Sequence, residues 1–295
     1  FLSTDYQLRL TWQAAAKHKV GFLVDYQSYC RCPSGISPTV SPEAASDDRW
    51  PLQRPIQADW TSPVTNQFLL EAAAIHRVER WGSMELGHGP TGVAADPGMI
   101  SVTEQLLGNL VYRSRATYSN NWNRTFHYRV AASYITGTHA LKFGFNDASG
   151  VARNTTLANQ PVSYLFNNGR PVSLTLRATP YVDGVSVDHD LGFFVQDKWT
   201  VSRVTVGLGL RYDHFATSFP DLSLGAATLL PNRNMSFPAR DNLSWHDITP
   251  KSHFAWDVTG NGKTAVKVSL NKYLEGMGLS GLTQTPSPVA SLAAD

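Results

Sequence analysis

Residues 6–13, YQLRLTWQ, alternate without a break. Tyr6, Leu8, Leu10 and Trp12 fall on one side of an extended chain, and Gln7, Arg9, Thr11 and Gln13 on the other. Period-two alternation predicts a strand with one apolar and one polar face. After a link at 14–19 the pattern resumes, with Val20, Phe22, Val24 and Tyr26 opposed to Gly21, Leu23, Asp25 and Gln27, so the two segments predict a hairpin. The same signal returns in Phe126, Tyr128, Val130, Ala132 and Tyr134, then after a tight turn at 136–139 in Leu141, Phe143 and Phe145. A third pair runs through Leu191, Phe193, Val195 and Trp199, turns at 200–203, and returns through Val204, Val206, Leu208, Leu210 and Tyr212. A fourth joins Phe254, Trp256 and Val258 to Val266, Val268 and Leu270 across Gly260-Asn261-Gly262-Lys263-Thr264.

The connections carry as much information as the strands. Each hairpin closes through a turn of about four to six residues. The links between hairpins, at 28–64, 148–188 and 216–247, are long and rich in Pro, Asn, Ser and Gly. Long structureless loops are uncommon in compact soluble domains. Short turns at one end and long loops at the other describe an outer-membrane barrel. The alternating runs, about eight to eleven residues each, match the length a tilted strand needs to cross hydrocarbon. One face is aliphatic at mid-strand with Tyr6, Trp12, Tyr26, Trp199 and Tyr212 toward the ends, as aromatic girdles require. The other face, with Arg9, Gln13, Arg211 and Asp213, suits a wet lumen. The competing architecture is a soluble β-sandwich, which also alternates. The expectation is therefore all-β: an antiparallel up-and-down transmembrane β-barrel fragment, with short periplasmic turns and long extracellular loops. Strand direction leaves one strand unplaced, expected within 75–86 or near 110–118. Residues 162–166 and 172–176, about Asn168-Gly169, predict a small hairpin inside one long loop.

Composition narrows this reading little. Of 295 residues 16% are charged and 11% aromatic, and the formal net charge of +2 points to no nucleic acid partner. No run of 18 apolar residues offers a transmembrane helix. The start at Phe1 lacks a signal peptide's basic and apolar regions, and the end at 283–295 is a Ser/Pro/Ala-rich stretch. Both ends suggest one domain cut from a larger barrel, spanning residues 1–295.

Few residues offer chemistry. Gly262-Lys263-Thr264 resembles the end of a phosphate loop, but Asp257 stands where that loop needs Gly and a strand follows instead of a helix. Asn-Gly at a hairpin tip accounts for the stretch. The EF-hand alternative fails because Val268 stands at the closing Glu position. Cys30 and Cys32 have no second pair to complete a metal site; a local disulfide, or partners beyond the chain, are the two readings. Gly184-Val185-Ser186-Val187-Asp188 lacks the final Gly of a nucleophile elbow. Asp188-His189-Asp190 reads as a solvated loop edge before the Leu191 strand, with contact to a cation as the alternative, and Asp213-His214 and His246-Asp247 read as isolated pairs near strand ends. Gln196 and Asp197 predict a polar cross-strand contact with the Arg211 strand. No catalytic residue, metal or cofactor is expected. Trp50, Trp60, Trp122 and Trp245 are candidate loop aromatics that could stack on a ligand.

Residues 191–215, LGFFVQDKWTVSRVTVGLGLRYDHF, resemble TonB-dependent outer-membrane receptors, with Phe194, Gln196, Asp197, Trp199, Gly209, Arg211, Tyr212 and Asp213 carrying the match. Residues 247–273 and the stretch GTHALKFG at 137–144 are similar to other hairpins of the family. Residues 99–105 and Asn121-Trp122-Asn123 resemble its Oar-like branch. The likeness runs from about residue 5 to 280. It implies a 22-stranded barrel with an N-terminal plug and a TonB box. Plug, box and C-terminal strands are not among these residues. The implied partners are outer-membrane lipid, the TonB complex through the plug, and a small nutrient such as a siderophore, sugar or peptide. A non-transporting adhesion barrel and a soluble carbohydrate-binding sandwich are the alternatives.

Overall fold

A computed structural model describes residues 1–87, 94–177, 179–226 and 231–276. The tail at 283–295 lies outside the described residues. Ten long strands run in chain order, each antiparallel to the next. They are β1 (Leu2–Ala15), β2 (His18–Ser34), β3 (Ser46–Pro63), β4 (Phe68–Met84) and β5 (Asn121–Thr136). The second half comprises β6 (His139–Leu157), β7 (Tyr181–Val201), β8 (Val204–Phe219), β9 (Arg240–Asp257) and β10 (Ala265–Asn271). This up-and-down order is the predicted one.

Turns at 16–17, 64–67, 137–138, 202–203 and 258–264 close one end; at the other end the strands are joined by the longer links 35–45, 85–120, 158–180 and 220–239. The suspected phosphate loop is the β9–β10 turn. There the Asp257 carboxylate accepts the N–H of Gly260 at 2.9 Å and of Gly262 at 3.0 Å, and Gly260 and Gly262 have positive φ.

The sheet is a single layer. Leu8 is 50% exposed, Leu208 62% and Val268 60%, so among the described residues no second sheet covers the alternating apolar face. Left in water, each such half-exposed side chain forgoes roughly half of the about 1.5–3 kcal/mol that full burial contributes. That face therefore requires hydrocarbon, and the sandwich reading falls. Trp12, Trp60, Tyr134, Trp199 and Trp256 share its strand parity near the short turns. Tyr6, Tyr26, Phe126 and Tyr212 lie on the same face farther up.

The strands outrun the alternating segments. β7 has 21 residues and β6 has 19, whereas about 9–11 cross a membrane. The three links predicted at 28–64, 148–188 and 216–247 are thus partly strand. The unplaced strand is β3, within 28–64, and not at 75–86 or 110–118. Residues 75–84 belong to β4, and Leu110–Tyr112 is a short loop strand. Pro51, Pro55 and a bulge between Arg49 and Leu52 interrupt the alternation that would have marked β3.

Beyond the membrane belt the extended strands build small cores: Ala152, Val185 and Phe219 in one, Tyr181 and Leu224 in another. Above them two long loops share a four-stranded sheet. Arg170–Leu176 pairs with Val162–Asn167, that with Ser101–Glu104, and that with Leu110–Tyr112. The predicted loop hairpin about Asn168-Gly169 is its outer half. Cys30 and Cys32 are joined in a disulfide.

Candidate functional site

The pairs Asp213-His214 and His246-Asp247 are not isolated from one another. Register places Leu191 opposite His214 and His214 opposite His246, and places Gly192 opposite Asp213 and Asp213 opposite Asp247. Strand parity then sorts the two residue types. The histidines go to the lipid-facing side and Asp213 and Asp247 to the lumen.

On the luminal side, like charges at Asp213 and Asp247 would destabilise the pairing if left bare. Each has a cation. Arg211 Nε donates to Asp213 at 2.6 Å while its Nη1 donates to Asn146 Oδ1 on β6 at 2.8 Å. Lys272 Nζ donates to Asp247 at 2.7 Å and to the Ile248 carbonyl at 3.2 Å. The Arg211 guanidinium lies flat against Gly192, where any Cβ would collide with it. That glycine lets one arginine bridge β6 and β8 across β7.

Phe215 and Trp245 follow on the same face, their rings 5.9 Å apart, and the Lys251 ammonium sits 5.0 Å from the Tyr273 ring. Together with Asp190 these groups line a cleft of about 580 Å³ on the luminal wall toward the long loops. It presents fixed charges of both signs beside three aromatic rings. Such a surface can bind a polar ligand by ion pairing and stacking. Among the described residues no group of three His, Cys, Asp or Glu side chains is set to hold a metal ion.

On the opposite face His214 and His246 stack at 4.3 Å, Tyr212 hydrogen-bonds His246 Nδ1 at 2.7 Å, and His189 Nδ1 meets Asp147 at 3.3 Å. These groups face away from the lumen and cannot contribute to its cleft.

The four candidate tryptophans separate. All stand on strands and none in a loop: Trp50 and Trp60 on β3, Trp122 on β5 and Trp245 on β9. Trp60 faces the membrane near the short turns, where its Nε1 donates to His18 Nδ1 at 3.3 Å. Trp50 stacks on Tyr29 at 4.1 Å, under the Arg31 guanidinium. Trp122 also has the outward parity. Of the four, Trp245 lines the luminal cleft. Arg211 and Asp213 were legible as luminal residues, but Lys251 and Lys272 were not, because the cleft residues converge only through register. The polar contact predicted for Gln196 and Asp197 also differs. Gln196 opposes Gly209 on the luminal side, and Asp197 faces outward and hydrogen-bonds His139 on β6 at 2.6 Å, not the Arg211 strand.

A strongly exposed apolar belt, a polar inner wall and a single meandering sheet define an integral β-barrel protein. Residues 2–292 match the outer membrane beta barrel domain; the chain belongs to that family, and its place is the outer membrane. No curated protein matches it by sequence. Among solved structures it is similar to the outer membrane transporter YddB from Escherichia coli, with 15% identity, a TM-score of 0.58, and 93% of this chain covering 32% of that one. It is similar to the ferric yersiniabactin uptake receptor FyuA from Yersinia pestis, with 9% identity, a TM-score of 0.54, and 87% covering 35%. It is also similar to FpvA of P. aeruginosa, a structure with bound ferric pyoverdine, with 13% identity, a TM-score of 0.53, and 90% covering 34%. At such identities these likenesses carry the fold alone. The chain spans about a third of the length of each.

Proposed function

We propose that the chain is a sector of an outer-membrane receptor that takes up a small, scarce nutrient with energy delivered through TonB. The observation that carries this reading is the luminal cleft of Arg211, Asp213, Trp245 and Lys251, placed below the long loops where an incoming solute would arrive. That the similar structures include an outer membrane transporter and an uptake receptor supports it. So does the likeness of residues 191–215 to TonB-dependent receptors. On this reading residues 1–295 are part of one barrel, and the plug, the TonB box and the C-terminal strands belong outside it. The wall binds and guides its cargo.

Growth of cells carrying the full gene tests the proposal. A panel of ferric siderophores, cobalamin, oligosaccharides and peptides is supplied at limiting concentration. Uptake of at least one should require both the gene and TonB, and should fall in Arg211→Ala and Trp245→Ala. Uptake that is unchanged when TonB is deleted would overturn it.

A second reading, a non-transporting adhesion barrel, has one observation in its favour. The loop sheet ends on Arg170–Leu176, an edge strand whose Val172 and Leu174 are each 54% exposed. Cell-surface attachment that persists without TonB, with no nutrient taken up, would favour it.

A further inference from the structure

Four arginines occupy the lipid-facing side of neighbouring strands at the long-loop end. One row of register partners runs Arg54–Val78–Arg124–Val151 across β3, β4, β5 and β6. The next row, two residues nearer the loops, runs Leu52–Arg80–Trp122–Arg153. Arginines therefore alternate like squares on a board, with Val78 and Trp122 between them. Strands lie about 4.8 Å apart, so the members of each pair, Arg54 with Arg124 and Arg80 with Arg153, are separated by roughly 10 Å.

Their side is fixed by parity. Arg124 follows Tyr134, Ala132, Val130, Tyr128 and Phe126 along β5 in steps of two, and Tyr128 and Val130 are 46% and 41% exposed in the membrane belt. Their height follows from counting. Ten positions separate Tyr134, in the lower girdle, from Arg124, which is the span of the hydrocarbon, about 9–11 residues. Phe126, stacked on His76 at 4.3 Å, marks the upper boundary just below.

None of the four forms an ion pair among the described residues. Arg80 Nε donates to Asn120 Oδ1 at 2.8 Å, and Arg153 Nη1 to the Ala152 carbonyl at 3.0 Å. The Arg124 guanidinium lies over Trp122 and Phe126, at 5.6 and 5.7 Å. The Nε of Arg54 is buried with no hydrogen-bond partner. Asp221 lies near Arg153 without closing on it. Asp147, which shares the outward parity, sits lower and is engaged by His189.

A cationic patch continuous with the acyl-chain belt cannot meet a luminal ligand. The molecule that covers it is the one that covers the belt. Guanidinium forks match phosphate oxygens in geometry as well as charge. We propose that Arg54, Arg80, Arg124 and Arg153 bind the phosphorylated headgroup of a membrane lipid in the leaflet at the long-loop end, with Trp122 at the centre of the site.

Trp122 supplies the readout. The full chain, in its intact barrel, is placed in phosphatidylcholine nanodiscs doped with brominated phosphatidic acid, or with brominated phosphatidylcholine as control. The difference between wild type and Trp122→Phe isolates the Trp122 signal. Brominated phosphatidic acid should quench that signal at about tenfold lower mole fraction than the control lipid, since charge-assisted bonds are at stake. Arg80→Gln/Arg124→Gln should abolish the preference while heat-modifiable migration is retained. Inorganic phosphate at equal concentration should not displace the lipid; displacement would assign the site to a free anion and overturn the proposal. Equal quenching by the two lipids in the wild-type protein would also overturn it, whether or not the variant folds.

Discussion

Glu104 Oε2 accepts the backbone N–H of Gly169 at 2.9 Å, tying two loops that are 65 residues apart in sequence. The other oxygen takes the N–H of Asn168 at 2.9 Å and of Leu106 at 3.1 Å. Gly169 and Asn168 both have positive φ, as an Asn-Gly hairpin tip demands, so their N–H groups point together at one acceptor. The Gly169 N–H above all, with those of Leu106 and Asn168, holds the Glu104 carboxyl below its ordinary pKa. A depressed folded value means that the contact contributes fully above the unfolded carboxylate range and is lost as pH falls through the lowered value. Glu104→Ala should raise amide exchange at 168 and 169 by about tenfold or more. In the wild-type protein the same increase should appear on acidification, and in the variant it should not.

The membrane-facing assignment predicts a contrast between two positions at the same level of the sheet. Leu208 opposes Asp197 and faces outward, and Gln196 opposes Gly209 and faces the lumen. Leu208→Arg should destabilise the inserted barrel by about 2–4 kcal/mol if it lies near mid-bilayer, and less toward the interface. Gln196→Arg should be tolerated. Urea unfolding of the full barrel in lipid vesicles, followed by tryptophan emission, measures both.

These contrasts show what could be read without coordinates. Parity was legible because alternation is a property of the chain itself. Leu8, Leu208 and Val268 face outward for the reason that made them visible as every second residue. β3 was not legible, since Pro51, Pro55 and the bulge after Arg49 break the period where the strand leaves the membrane. Strand ends escaped for a related reason. Above the bilayer both faces of β6 and β7 meet water or loops, so no selection for alternation remains. The luminal cleft was half visible: Trp245, Arg211 and Asp213 could be named, but Lys251 and Lys272 meet them from other parts of the chain. That convergence depends on register, which a single sequence does not encode locally.

Gly192 should be the most sensitive small residue of the cleft. A side chain there has no space beneath the Arg211 guanidinium. Gly192→Val should push Arg211 off Asn146 and Asp213, costing about 1–3 kcal/mol as overpacking. If the cleft binds the nutrient, the apparent affinity for uptake should weaken in this variant, and Arg211→Ala added to it should cost little more. Additivity of the two changes would indicate that they act separately.

The last prediction concerns residues 1–295 removed from any larger barrel. Among the described residues β1 pairs with β2 alone and β10 with β9 alone, so each outer strand of the sheet offers a row of unpaired N–H and C=O groups. Every residue of β1 is exposed, including Tyr6, Leu8, Leu10 and Trp12. An open edge bearing a continuous apolar stripe templates association with further strands. In water the isolated segment should aggregate, or remain unfolded in urea without a cooperative refolding transition. In detergent or lipid it should recover strand structure, because micelles cover the belt even where they cannot pair the edges. A monomer in detergent-free buffer that melts cooperatively, measured by light scattering and circular dichroism, would contradict the outward placement of the apolar face. Adding further strands at the two edges should then separate the two contributions. If the edges dominate, a longer segment that pairs β1 and β10 should lose its tendency to associate in detergent, while remaining insoluble in water because the belt is unchanged.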